Sequence, residues 1–101
     1  MSVDDRYLQA REAIEAAVLR GPGRTAPELR QAAARRGELP AELKALVAKI
    51  HDHAYRIGDE ELAALRQRYS EDELFEVVVA SALGAALHRL EAGLRALGDA
   101  T

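Results

Sequence analysis

Eleven consecutive uncharged residues, Val77 to Leu87, constrain this chain more than any other feature. They lie within Ser70–Leu97, SEDELFEVVVASALGAALHRLEAGLRAL, after four acidic residues at 71–76 and before His88-Arg89. A helix that is apolar on every side does not sit on the surface of a small monomer, so this one has to be surrounded, by the rest of the chain or by other copies of it. Val77-Val78-Val79 alone would suit a strand, but the flanking Ala, Leu and Glu favour a helix and the run is too long for an ordinary strand. No other segment shows the two-residue alternation of a half-buried strand. The sequence predicts an all-α single domain over residues 1–101, with about five helices and a long buried C-terminal one.

A chain of 101 residues hides roughly two thirds of the surface its unfolded form exposes, so its core is thin. The core material is small as well: Ala is frequent, there are one Phe and three Tyr, and Trp is absent. Assembly into oligomers would relieve that shortage. Cysteine is absent too, which excludes disulfides, thiolate metal sites and thiol chemistry and suits a cytoplasmic protein. The acidic, amphipathic start is unlike a signal peptide, and no apolar run approaches the roughly 20 residues that cross a bilayer, so no membrane association is expected. A net charge of −3 argues against nucleic-acid binding. Charge is uneven, however, with five Arg against one Glu between Arg20 and Arg36. That stretch reads as a solvated face, and otherwise as a docking surface for an acidic protein partner.

The first predicted helix spans about Asp4–Leu19, with Tyr7, Ala10, Ile14, Ala17 and Val18 on one face and Asp4-Asp5 at its positive end. Gly21-Pro22-Gly23 ends it. Thr25-Ala26-Pro27-Glu28 then has the form of a capping box for a short second helix that ends near Gly37. The third begins at Leu39-Pro40, buries Leu39, Leu43, Leu46, Val47, Ile50 and Ala54, and stops near Ile57-Gly58. Asp59 caps a short fourth helix that buries Leu62 and Leu65, and Ser70-Glu71-Asp72-Glu73 is a second capping box, which starts the fifth.

The residues that could carry chemistry are Glu76, His53, His88 and Arg89. Glu76 and Arg89 bracket the apolar run, roughly 20 Å apart along a helix axis, so each needs a partner from another element or subunit. Glu76 shares a face with Ala80, Leu83 and Leu87. It reads as an ion pair to another helix, or as a general acid or base with a raised pKa. Ala80 and Gly84, and Ser81 and Ala85, are small residues four apart. Gly84 costs the helix about 1 kcal/mol relative to Ala, which points to a close backbone contact there. His51 and His53 at i, i+2 point apart and do not form a helical metal pair. His88-x-x-Glu91 reverses the Glu-x-x-His order of di-iron carboxylate sites. Neither metal nor cofactor is expected. Gly21–Thr25 lacks the Lys of a P-loop and reads as a turn.

Residues 57–90, IGDEELAALRQRYSEDELFEVVVASALGAALHRL, resemble the later half of alkylhydroperoxidase D-like and carboxymuconolactone decarboxylase-like proteins. In those, a short helix entered through an Asp leads to a Ser-Asp/Glu-x-Glu start and a long apolar helix that often ends in Asn-Arg. The counterparts here are Asp59, Ser70–Glu73, Glu76 and Arg89, with His88 where the Asn often sits. The peroxidase branch carries Cys-x-x-Cys with a following His, and Ala41–Arg56 does not reproduce it. The resemblance implies an obligate helical oligomer with the long helix at its centre and no disulfide-relay chemistry. The expected function is that of a non-peroxidatic, homo-oligomeric structural, accessory or small-ligand-binding protein that pairs with itself through Ser70–Leu97. A decarboxylase-like lyase or isomerase is the alternative, with Glu76, His53 or His88 as acid or base and Arg89 holding a small carboxylate at a subunit interface. A helical adaptor for an acidic protein is a further one.

Overall fold

In the computed structural model, which describes residues 3–52 and 56–100, the chain is all-helical, with no strand among the described residues. Helix α1 (Val3–Glu15) runs into a π-helical turn (Ala16–Arg20). It is followed by α2 (Pro27–Arg35), α3 (Ala41–His51), α4 (Asp59–Arg68) and a single continuous α5 (Glu71–Ala100). The core lies where α2 and α3 pack on the first half of α5. Leu43, Leu46, Val47 and Ile50 from α3 meet Val77 and Ala80 from α5, with Ala33 and Ala34 from α2 and Leu65 from α4. The molecule is elongated, 49 × 29 × 19 Å.

The start of α5 follows from its sequence. The Ser70 hydroxyl accepts from the Glu73 amide at 3.1 Å and the Glu73 carboxylate accepts from the Ser70 amide at 2.9 Å, so the capping box forms. Ser70→Ala is expected to lower stability by about 1 kcal/mol, measured as a shift in the urea midpoint with unchanged slope.

The first capping box does not form. Helix α2 starts one residue later than the box requires, so its N-cap is Ala26, whose methyl group cannot cap, and the Thr25 hydroxyl outside it donates to Glu76. Asp59 is likewise the first helical residue of α4 rather than its cap, which is Gly58. Helix α3 starts after Pro40 and ends at His51; Asp52, with φ −94°, closes it, so it is shorter than the apolar spacing suggests. Ala54 and His53 lie outside the described residues. At the end of α2 the left-handed residue is Arg36 (φ 56°), not Gly37, and the Gly37 amide returns to the Ala32 carbonyl at 2.8 Å. The Arg36 guanidinium holds the Asp52 carboxylate at 2.9 and 3.5 Å, which ties this strained cap to the end of α3.

Two expectations about burial fail for the same reason. The apolar face assigned to α1 is largely in solvent: Ala10 and Ala17 are exposed, and Ile14 is 45% exposed. The helix docks through the π-helical turn that follows it, where Leu19 is buried, and by the ionic contact of Arg11 with Glu91 on α5. Helix α5 is buried on one side only. Val77, Ala80, Ser81 and Ala85 face the core while Val78, Ala82 and Ala86 face out. The chain is too small to wrap a helix of about 45 Å on every side.

By length and composition the Glu71–Gly98 stretch could cross a bilayer, a criterion that core helices of water-soluble proteins also meet.

Candidate functional site

Gly84 makes the site possible. A Cβ on it would lie 2.0 Å from the Ala34 carbonyl oxygen, so its absence lets the last turn of α2 rest directly on the α5 backbone. The end of α2, the end of α3 and the middle of α5 thereby converge, and with α1 at the side they enclose an open cleft of about 620 Å³.

Two helix C-termini, with their unpaired carbonyls, point into this region and attract cations and N–H donors. Arg89 donates to the His51 carbonyl at 2.9 Å, and His51 donates its Nε2–H to the Ala33 carbonyl at 2.9 Å. Every carboxylate on the wall is engaged by an arginine: Glu15 by Arg11, Glu91 by Arg11, and Asp52 by Arg36. Arg35 and His88 also line the cleft, and neither has a hydrogen bond or ion pair among the described residues. Its four arginines outnumber its three carboxylates, so the cleft is left with positive charge.

Glu76 lies elsewhere, beside a smaller hollow of about 180 Å³ with Val18, Arg30 and Phe75. Its carboxylate accepts from the Thr25 hydroxyl at 2.6 Å, the Arg24 amide at 2.7 Å and the Thr25 amide at 2.9 Å. The Thr25 hydroxyl, then the Arg24 and Thr25 amides, hold its pKa down at about 2; burial opposes this and the Arg30 charge assists. The partner is thus another element of the same chain, and the carboxylate is ionised rather than poised to carry a proton near neutral pH.

Of the residues singled out from sequence, His88 and Arg89 meet in the cleft, Glu76 does not, and His53 lies outside the described residues. The close contact expected at Gly84 is present. Arg30 is one that sequence reasoning missed. Read as part of a solvated basic face, it is 3% exposed and donates to the carbonyls of Val18 at 2.8 Å and Thr25 at 3.4 Å, and to that of Gly21. It closes the end of the π-helical turn and fixes the loop that Glu76 binds. The signal was available: Arg30 stands at i−3 from Ala33 and i−4 from Ala34, on the one apolar face of α2, where a solvated residue has no place.

The described residues hold no cluster of metal-ligating side chains. No family model matches the chain, and neither a curated protein nor a solved structure does.

Proposed function

We propose that this chain is a homo-oligomeric helical binding protein whose α2–α3–α5 cleft takes a small organic anion, a carboxylate first of all. The observation that carries the reading is the imbalance on the cleft wall. Each carboxylate there is already engaged by Arg11 or Arg36, whereas Arg35 and His88 have no partner among the described residues. A guanidinium fork matches a carboxylate in two parallel hydrogen bonds, and a cleft of about 620 Å³ is within the size range of small-molecule sites. The resemblance of residues 57–90 to alkylhydroperoxidase D-like proteins supports the homo-oligomeric part of the proposal, and the lack of cysteine suits its non-peroxidatic part and a cytoplasmic setting.

The alternatives have less support. A lyase or isomerase would need Glu76, His53 or His88 as acid or base beside a free Arg89; within one chain Glu76 opens onto a different hollow, and Arg89, next to His88, is already engaged by the His51 carbonyl. An adaptor would need a free basic face. Of the five arginines between 20 and 36, Arg20 pairs with Glu12, Arg24 stands 4.0 Å from Asp72, Arg30 is buried and Arg36 holds Asp52. Only Arg35 is left.

Calorimetric titration with acetate, succinate, benzoate and phosphate at matched ionic strength tests the proposal. A saturable carboxylate isotherm is expected, weakened about tenfold by Arg35→Ala and also by His88→Ala, equivalent to about 1.4 kcal/mol each. No saturable binding by any of the four, or binding indifferent to both substitutions, would sink it.

A further inference from the structure

The face of α5 that the fold leaves in solvent has a symmetry of its own. Its exposed large apolar residues are Phe75 (69% exposed), Val78, Leu90, Leu94 and Leu97 (67%), and Ala82 and Ala86 are exposed between them. Counted from Ala86, these seven stand at −11, −8, −4, 0, +4, +8 and +11. The order reads the same from either end, and its centre falls next to the midpoint of Glu71–Ala100, between Ala85 and Ala86. The inner five form one ridge of four-residue spacing, the kind that packs into the groove of a facing helix. None of the seven carries a polar side-chain atom, and the neighbouring Arg89 is turned back to the His51 carbonyl at 2.9 Å.

We infer that this face is covered by the same face of a second copy, with the two α5 helices antiparallel about a two-fold axis through Ala86. The inference deepens the homo-oligomeric part of the proposed function and does not depend on the cleft. A two-fold interface must be self-complementary, residue 86−k meeting residue 86+k of the other copy, and a palindromic ridge satisfies that condition. Ala86 then meets itself, Ala82 meets Leu90 and Val78 approaches Leu94, so small residues face large ones next to the axis. Alanine at the crossing permits the short end of the interaxial range, about 8 Å.

Surface area argues for a covering partner. The chain exposes 6899 Å², whereas a folded 11.0 kDa monomer exposes about 5,600 Å². The excess, about 1,300 Å², exceeds the roughly 800 Å² that each partner contributes to a standard interface. The radius of gyration, 15.3 Å against about 13 Å for a compact chain of this length, agrees. Charge selects the direction. A parallel pair would bring Glu71, Asp72 and Glu73 of both copies side by side, while the antiparallel pair holds them about 40 Å apart, several Debye lengths. Charge also disfavours an anionic lipid surface, since an interfacial helix there carries a basic polar face and α5 has six acidic residues against two arginines.

Two variants test this. Ala86 is exposed in the single chain, so Ala86→Glu preserves the monomer fold, checked by helical circular dichroism, while placing two carboxylates on the axis. Light scattering after gel filtration should give a mass of two chains, or an even multiple, for the native protein and half that for Ala86→Glu. Ala86→Cys provides the positive readout because the native chain has no cysteine. Mild oxidation should convert it to a disulfide-linked dimer on a non-reducing gel, while Ala64→Cys on the exposed side of α4 stays monomeric. A native protein that is monomeric at 100 µM, an oligomer that Ala86→Glu leaves intact, or co-sedimentation of the native protein with anionic vesicles in place of self-association would overturn the inference. Carboxylate titration of the Ala86→Glu monomer separates this result from that of the cleft.

Discussion

Gly84→Ala is expected to destabilise the protein by about 2–3 kcal/mol, and the same substitution at Gly93 to stabilise it by about 1 kcal/mol. Both glycines are interior to α5, so both replacements gain the same helix propensity. They differ in what the new methyl meets. At Gly93 no heavy atom lies within 4 Å of the added Cβ. At Gly84 the methyl would stand 2.0 Å from the Ala34 oxygen and 2.6 Å from the Ala34 Cα, and these are backbone atoms that no rotamer change can move aside. The last turn of α2 would have to lift off α5, opening the core at Ala33 and Ala34. For a domain of about 100 residues the loss corresponds to a drop of roughly 10 °C or more in Tm. Thermal melts of the two variants side by side decide the matter, and a Gly84→Ala variant that melts above the native protein would show that α2 does not rest on Gly84. Because the contact also shapes the cleft, Gly84→Ala should weaken carboxylate binding even at temperatures where the variant is folded.

Gly84 also shows which parts of this fold were legible in the sequence. A glycine amid good helix formers carries a local cost with no local return, so a close approach could be inferred without knowing what approaches. The Ser70–Glu73 box and the Leu43–Ile50 stripe were legible in the same way, since both partners of each interaction lie within one turn or one face. What could not be read is non-local. Thr25 and Glu28 satisfy the spacing of a capping box, yet the helix begins one residue later, with Ala26 as its N-cap, and the Thr25 hydroxyl donates to an ionised carboxylate fifty-one residues away. The apolar period of α1 is real, but periodicity does not say what covers the face. In the single chain Leu8 stays 58% exposed and Ile14 45%. The cleft shares this difficulty, because Arg35, His51 and His88 come from three helices and gain meaning only once Gly84 has brought those helices together.

The Glu76 carboxylate should give acid unfolding a recognisable shape. Its folded pKa of about 2 lies below the ordinary 4.5, to which it returns in the unfolded chain. A carboxylate depressed in this way contributes its full stabilisation above pH 4.5 and loses it as the pH falls from 4.5 towards 2. After allowance for solvent screening the contribution is about 2 kcal/mol. Glu76→Gln keeps the shape of the side chain but replaces one accepting oxygen by an amide that donates. The amide can no longer serve both the Arg24 N–H and the two Thr25 donors. At pH 7 the variant should therefore be less stable by about 2 kcal/mol, with the loop at Gly23–Thr25 the first segment to exchange its amides. The gap should close as the pH is lowered from 4.5 to 2, because the native Glu76 becomes protonated and loses the same charge. Urea midpoints of the two proteins at pH 7, 4 and 2.5 measure it, and the difference between them removes the background from the other carboxylates. A gap that stays constant over this range would mean that Glu76 acts by shape alone and that its charge is not what holds α2 to α5.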